Sequence, residues 1–238
     1  MGSTKAVIFD VGNVLFHWDR HAIYERLIED DQALRAFVDD VVSLDWHAQH
    51  DLGVSFAETS AELRARFPQH AALIDLYGPR FNDSLQREVP GVVAILESLD
   101  AAGVPLFAIT NFHDDFFAAF RASRPDVFGR FRDIVVSGEE KLIKPDPAIY
   151  TLALDRFGVA AEDAVFIDDS AANIDAANAL GIAGLLFTDA ETLRADLAKL
   201  GLIVNRRSAF LRKQKPRAPT GSLVTLALPR FRGGAVQR

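Results

Sequence analysis

The stretch Lys5 to Trp18, KAVIFDVGNVLFHW, sets the terms for the rest of the chain. Ala6 to Phe9 is a short continuous apolar run without polar alternation, the pattern of a strand buried on both faces of a parallel sheet. It delivers Asp10 to the strand's carboxyl end, where Gly12 and Asn13 break the pattern as a tight loop would. Reactive groups of open α/β sheets gather outside those strand ends. Asp10 is therefore a candidate nucleophile or metal ligand. The alternative is an aspartate that only caps a turn, and this stretch does not separate the two.

Further apolar runs follow at Val104–Thr110, within Phe131–Ser137, within Asp163–Asp168 and at Ala183–Phe187. Helical patterns lie between and after them. Pro90-Gly91 opens a helix over Val92–Ala102 that Gly103 closes. Others are predicted at Asp114–Ser123, Ala148–Phe157, Ala171–Leu180 and Ala190–Leu200. This alternation predicts an α/β fold with a doubly wound, Rossmann-like parallel sheet.

No strand stands out between residues 19 and 88. Ile23, Leu27, Leu34, Phe37, Val38 and Val41 recur at roughly helical spacing. Ser55 with Glu58 three residues on forms a capping-box pattern ahead of Phe56, Leu63 and Phe67. Leu73–Leu85 reads as another helix, interrupted by Gly78-Pro79. The expected organisation is a core domain of residues 1–18 and 89–204, a small helical cap domain at 19–88 inserted after the first strand, and a tail at 205–238. A chain of 238 residues accommodates this.

Composition narrows the function classes. Cysteine is absent, which excludes disulfides and thiolate metal sites. No apolar run reaches membrane-spanning length and no signal-peptide pattern is present, so a cytoplasmic location is expected. The net charge is −7, yet residues 205–238 hold nine Lys or Arg and no Asp or Glu. The tail is expected to be disordered. The strongly acidic remainder makes nucleic acid an unexpected partner.

Chemistry-bearing residues fall at four strand ends: Asp10, Thr110-Asn111, Lys144 and Asp168-Asp169. Singly, each is an ordinary cap or solvated side chain. In this order on parallel strands, their loops converge on one crevice. The set suits phosphoryl transfer to a carboxylate. Asp10, Asp168 and Asp169 offer hard oxygens to Mg²⁺. Lys144 can pair with phosphate and with Asp10, while the Thr110 hydroxyl and the Asn111 amide or backbone N–H can bind phosphoryl oxygens.

The chain resembles the haloacid dehalogenase-like hydrolase superfamily. IFDVGNVL resembles its first motif, AITN its second, IKPDPAIY its third and VFIDDSAANIDAANALG its fourth, over about residues 5–200. The insert resembles the helical cap of one subgroup, and GNVL with DDSAAN is similar to phosphatases of the α-D-glucose-1-phosphate type. The resemblance implies Asp10 as nucleophile and metal ligand, and Gly12 as a metal ligand through its backbone carbonyl. It implies Thr110 and Asn111 as phosphate binders and Lys144 as the charge-neutralising lysine. Asp169 matches the main fourth-motif ligand, beside Asp168. The expected activity is Mg²⁺-dependent hydrolysis of a small phosphorylated metabolite, such as a sugar phosphate, through an aspartyl-phosphate.

One departure matters. Many family phosphatases carry a second Asp two residues after the nucleophile as general acid/base; here that residue is Gly12. General acid–base catalysis is worth typically about 10²–10⁴-fold. His17 and His113 are the nearby titratable candidates to replace it. Two other readings stand: a 2-haloacid dehalogenase using the same nucleophile on carbon, and a metal-binding regulatory module with low turnover. Trp18, Trp46, His47, His50 and Tyr77 are candidates to line the crevice.

Overall fold

The computed structural model describes residues 5–85 and 87–203. The basic stretch expected to be disordered lies outside them. Five parallel strands form one sheet: β1 (Ala6–Phe9), β2 (Leu106–Thr110), β3 (Asp133–Val136), β4 (Ala164–Asp168) and β5 (Ala183–Leu186), in the order β3-β2-β1-β4-β5. The apolar run that opened the argument is the central strand. Val7 pairs with Leu106 on one side and with Val165 on the other.

Both faces of the sheet are covered, and side chains alternate between them with the strand period of two. Val7, Phe9, Ala108, Val165 and Ile167 face one core. That core includes α6 (Val92–Ala101), α7 (Asp114–Ser123), α8 (Pro125–Phe128) and α12 (Ala190–Lys199). Ile8, Phe107, Ile109 and Phe166 face the other, under α10 (Pro147–Phe157) and α11 (Ala171–Ala179), and a single turn, α9 (Ser137–Glu140), follows β3. Covering both faces explains why the strands read as unbroken apolar runs. Helix boundaries are set by local chemistry. Asp146 caps α10 by accepting from the Ala148 N–H, Pro147 fills the first turn, and Gly158 ends it at φ 64°.

Between β1 and α6 the described residues are helical. A 3₁₀ turn at Arg20–Ile23 precedes α1 (Asp31–Ala36), α2 (Leu44–Asp51), α3 (Phe56–Arg66), α4 (Ala71–Ile74) and α5 (Tyr77–Arg80). Ser55 caps α3 by accepting from the Glu58 N–H, and its hydroxyl donates to Glu58 Oε2. Two helical readings differ from the structure. The helical region from Ile23 to Val41 is interrupted: residues 24–30 are not helical, and α1 then passes into a wider π turn at Phe37–Val41. The phase slip brings Phe37, Val38 and Val41 all inward. Leu73–Leu85 splits into α4, α5 and a 3₁₀ segment at Phe81–Leu85. Gly78 lies inside α5 because a Cβ there would come within 2.9 Å of the Phe56 ring. No helix among the described residues is long and apolar enough to cross a membrane.

Candidate active site

The carboxyl ends of β1, β2 and β4 meet at a cavity of about 270 Å³. Asp10, Gly12, Thr110, Asn111, Lys144 and Asp169 all line it, so six of the seven site residues read from the sequence come together around one cavity. Asp168, the seventh, is fully buried directly behind them. Trp18, His47, Asp51, Phe81, Leu85 and Phe112 line it too, and the rings and aliphatic chains of Trp18, Phe81, Leu85 and Phe112 add an apolar surface.

Lys144 organises the floor. Its Nζ lies 2.7 Å from Asp10 Oδ1 and 2.7 Å from Asp168 Oδ2. It donates to Asp168 Oδ2, and both residues are buried. Burial alone would lower the Lys144 pKa, but the charges of Asp10 and Asp168 outweigh it and hold the ammonium above its usual range. Burial pushes the Asp10 carboxyl up from 3.8; Lys144 opposes that shift and Asp168 adds to it. Asp10 Oδ1 also accepts from the Val11 N–H at 2.7 Å, so one oxygen of this carboxylate is held by two donors.

The two fourth-motif aspartates are not equivalent. Asp168 Oδ1 accepts from the Ser170 N–H at 2.8 Å and from Asn173 Nδ2 at 2.9 Å. Its Oδ2 accepts from Asn173 at 3.0 Å as well as from Lys144. Internal partners thus occupy both oxygens. Asp169 is exposed. Partial burial and the neighbouring Asp168 push its pKa up, opposed by a hydrogen bond from Asn13. Asn13 sits at φ 54°, a left-handed turn that Asn tolerates and that lets its side chain reach back.

Asn111 has a second task. Its Nδ2 donates to the Lys144 carbonyl at 3.0 Å, and its Oδ1 accepts from the Lys144 N–H at 2.9 Å. This clasp commits the side-chain oxygen and one amide hydrogen to positioning Lys144. What Asn111 retains for an anion is its backbone N–H and the remaining amide hydrogen.

Neither histidine proposed to replace the missing acid lines the cavity. His17 is exposed, beside Arg87 rather than Asp10. His113 is buried and caps α7, its Nδ1 accepting from the Asp115 N–H at 3.2 Å. Of the five aromatic candidates, Trp18 and His47 reach the cavity, while Trp46, His50 and Tyr77 pack behind it. Sequence reasoning missed Asp51 and Asn173. The signal for Asp51 was its place four residues after His47, which puts both side chains on one helical face.

The histidines of α2 are held neutral. Burial lowers His47 to about 3, aided by His50, Arg20 and His113; it lowers His50 to about 4, aided by His113. A folded-state pKa below the unfolded 6.5 means that the unfolded chain binds the extra proton as pH falls. Stability from His50 is therefore lost between about pH 6.5 and 4. Relative to His50→Gln, the wild type should lose about 1.4 kcal/mol between pH 7.5 and 5.5. Urea melts of both proteins at the two pH values check this, and parallel changes would refute it.

The chain belongs to the haloacid dehalogenase-like hydrolase family, which it matches over residues 4–181. Among curated relatives, it is 26% identical to the sesquiterpene phosphatase astK of Aspergillus oryzae, over 82% of this chain and 96% of that one. It is 27% identical to the phosphorylated carbohydrates phosphatase of Thermotoga maritima, over 75% of this chain and 82% of that one. The fold is shared with a haloacid dehalogenase-like enzyme of Bacteroides thetaiotaomicron solved with magnesium and inorganic phosphate. That match has a TM-score of 0.63 and 21% identity, and covers 79% of this chain and 96% of that one. Solved dehalogenases share the fold too.

Proposed function

We propose that this protein hydrolyses a small phosphomonoester through an aspartyl-phosphate on Asp10, with Mg²⁺ as cofactor. One observation carries the reading: three carboxylates, Asp10, Asp168 and Asp169, converge within 4.8 Å around one ammonium, below Thr110 and Asn111. Three acids and one lysine leave an excess of negative charge, and the charge of Asp168 adds to the burial that raises the pKa values of Asp10 and Asp169. A hard divalent cation fits that donor set. Asp10, the Gly12 carbonyl and Asp169 would hold it, with Asp168 behind. When bound, Mg²⁺ supplies positive charge that offsets the carboxylates and the phosphoryl oxygens.

The chain's own residues account for the rest. Asp10 Oδ1 is pinned by Val11 and Lys144, so attack on phosphorus falls to Oδ2. An Asp10 O–P bond forms as the ester P–O bond breaks. Water then attacks the same phosphorus, releasing phosphate and restoring Asp10. Thr110 and Asn111 orient the phosphoryl oxygens, and Lys144 balances the charge that gathers beside Asp10. The apolar wall of Trp18, Phe81 and Leu85 receives the remainder of the ester. The phosphatase names of two relatives support this reading. A sugar phosphate in the cytoplasm is the substrate class and setting we favour, with nucleic acid outside its range.

Phosphate release from a panel of phosphomonoesters, with Mg²⁺ and with EDTA, tests the proposal. Metal-dependent turnover supports it. Chloride release from 2-chloropropionate without metal would point instead to a dehalogenase, and silence in both assays to a low-turnover metal-binding module. Asp169→Ala should raise the Mg²⁺ concentration for half-maximal activity at least tenfold with little change in thermal stability, because its side chain is exposed. Asp168→Ala should destabilise the fold, since it strips partners from Lys144, Ser170 and Asn173. Mg²⁺ titration of activity and thermal melts separate the two.

A further inference from the structure

We infer that Asp51, at the end of α2, is a further catalytic residue that protonates the leaving-group oxygen, in place of the carboxyl missing at Gly12. The inference rests on the phosphatase reading above.

Elimination among the cavity's titratable groups is the first argument. The described lining residues that titrate are Asp10, His47, Asp51, Lys144 and Asp169. Asp10 is the nucleophile, and Asp169 faces the proposed cation. Lys144 is locked between two carboxylates. The ring of His47 is tied at Nδ1 to the Tyr77 hydroxyl at 2.8 Å. Asp51 remains, beside His47, whose ring packs against Trp18 and Phe81 of the apolar lining that would receive the ester's remainder.

Its placement is the second argument. Asp51 belongs to the insert, yet its backbone is fastened to the sheet. The Ser137 hydroxyl, at the end of β3, donates to the Asp51 carbonyl at 2.6 Å and accepts from the Phe112 N–H at 2.9 Å. Two residues on, the Gly53 carbonyl accepts from Lys141 at 3.2 Å. Gly53 has φ 76°, and a Cβ there would fall 2.6 Å from the Gly138 carbonyl oxygen. These contacts hold the tip of α2 against the carboxyl ends of β2 and β3, on the side of the sheet next to β1 and its nucleophile.

Third, the carboxyl is set up to keep a proton and pass it on. Its side chain is 13% exposed. Oδ1 is buried without a hydrogen-bond partner, 3.5 Å from His47 Nε2. Burial holds the Asp51 pKa at about 7, with Asp10 adding to the rise and Lys144 opposing it, which suits a group that must give and regain a proton near neutrality.

The step balances. As Asp10 forms its bond to phosphorus and the P–O ester bond breaks, the Asp51 proton moves to the departing oxygen, releasing an alcohol. The Asp51 carboxylate then takes a proton from the water that attacks the aspartyl-phosphate. Phosphate leaves, and both carboxyl groups return to their starting states.

A series of aryl phosphates of rising leaving-group pKa, from 4-nitrophenyl to 4-methoxyphenyl, tests this against wild type, Asp51→Asn and Asp51→Glu. The ratio kcat/KM reports the phosphorylation step. For Asp51→Asn it should fall by under about fivefold on the nitrophenyl ester, which leaves without help, and by about 10²-fold or more on the poorest leaving group. Asp51→Glu, which retains a transferable proton, should recover part of the loss on the poor esters. Equal losses across the series would mean a structural role and overturn the inference, as would no loss on any ester. Failure of wild type on every ester would instead remove the phosphatase reading itself.

Discussion

Asp10→Asn is expected to lower turnover by on the order of 10⁵-fold, the scale seen when a covalent nucleophile is removed. The amide keeps the shape of the carboxyl, and its oxygen can still accept from Val11 and Lys144, which now hold Oδ1 at 2.7 Å each. What it lacks is a nucleophilic oxygen at the second position. Stability should move the other way. The folded-state pKa of Asp10 lies well above its ordinary 3.8, so the folded protein holds a proton that the unfolded chain has released. That contribution is present at low pH and is lost as pH rises toward about 7. The thermal stability of the variant relative to wild type should therefore grow over the same interval in metal-free buffer. Steady-state phosphate release and melts at pH 5 and pH 8 read both effects. Turnover within tenfold of wild type would remove Asp10 from the nucleophile's role.

Lys144→Met should be the most damaging substitution to the fold. It leaves Asp10 and Asp168 buried with no counter-charge, and breaking a buried pair costs about 3–5 kcal/mol. Activity should fall by on the order of 10³-fold even at temperatures where the variant is folded, since an electrostatic partner of the transferring phosphoryl group is gone. Two responses distinguish charge from packing. Mg²⁺ should raise the melting temperature of the variant more than that of wild type, because the cation meets one more unmet negative charge. Lowering the pH should also narrow the stability gap, because the orphaned carboxylates can protonate. A stability deficit indifferent to both Mg²⁺ and pH would assign Lys144 a packing role alone.

The parallel strands were legible because burial on both faces leaves a continuous apolar run that few other elements produce. AVIF, LFAIT and AVFI each announce themselves, and their polar ends mark the crevice. The insert was harder. The π turn at Phe37–Val41 preserves an apolar rhythm while changing the backbone, and the break around Asp75-Leu76 has no strong local breaker. Within the site, residue types picked out side chains that the fold brings together but could not divide labour among them. Nothing local distinguishes Asp168, saturated by Asn173, Ser170 and Lys144, from exposed Asp169. The Asn111 clasp on Lys144 joins residues that are remote in sequence. His113 looked available for proton transfer but is spent on an N-cap. Asp51 escaped notice because Leu44–Asp51 turns polar groups inward, toward the cavity, and so lacks a clean apolar stripe.

The position of β1 has a consequence for how the chain is made. This strand leaves the ribosome before either of its neighbours, so Val7 waits for Leu106 on one edge and Val165 on the other. Until both arrive, AVIF is an apolar segment with two open hydrogen-bonding edges. Pairings of such long sequence separation are slow to form and invite association between chains. Newly made chain is therefore exposed to association from the synthesis of β1 until that of β4. Truncations ending before Ala164 should collect as aggregates rather than as partly active fragments.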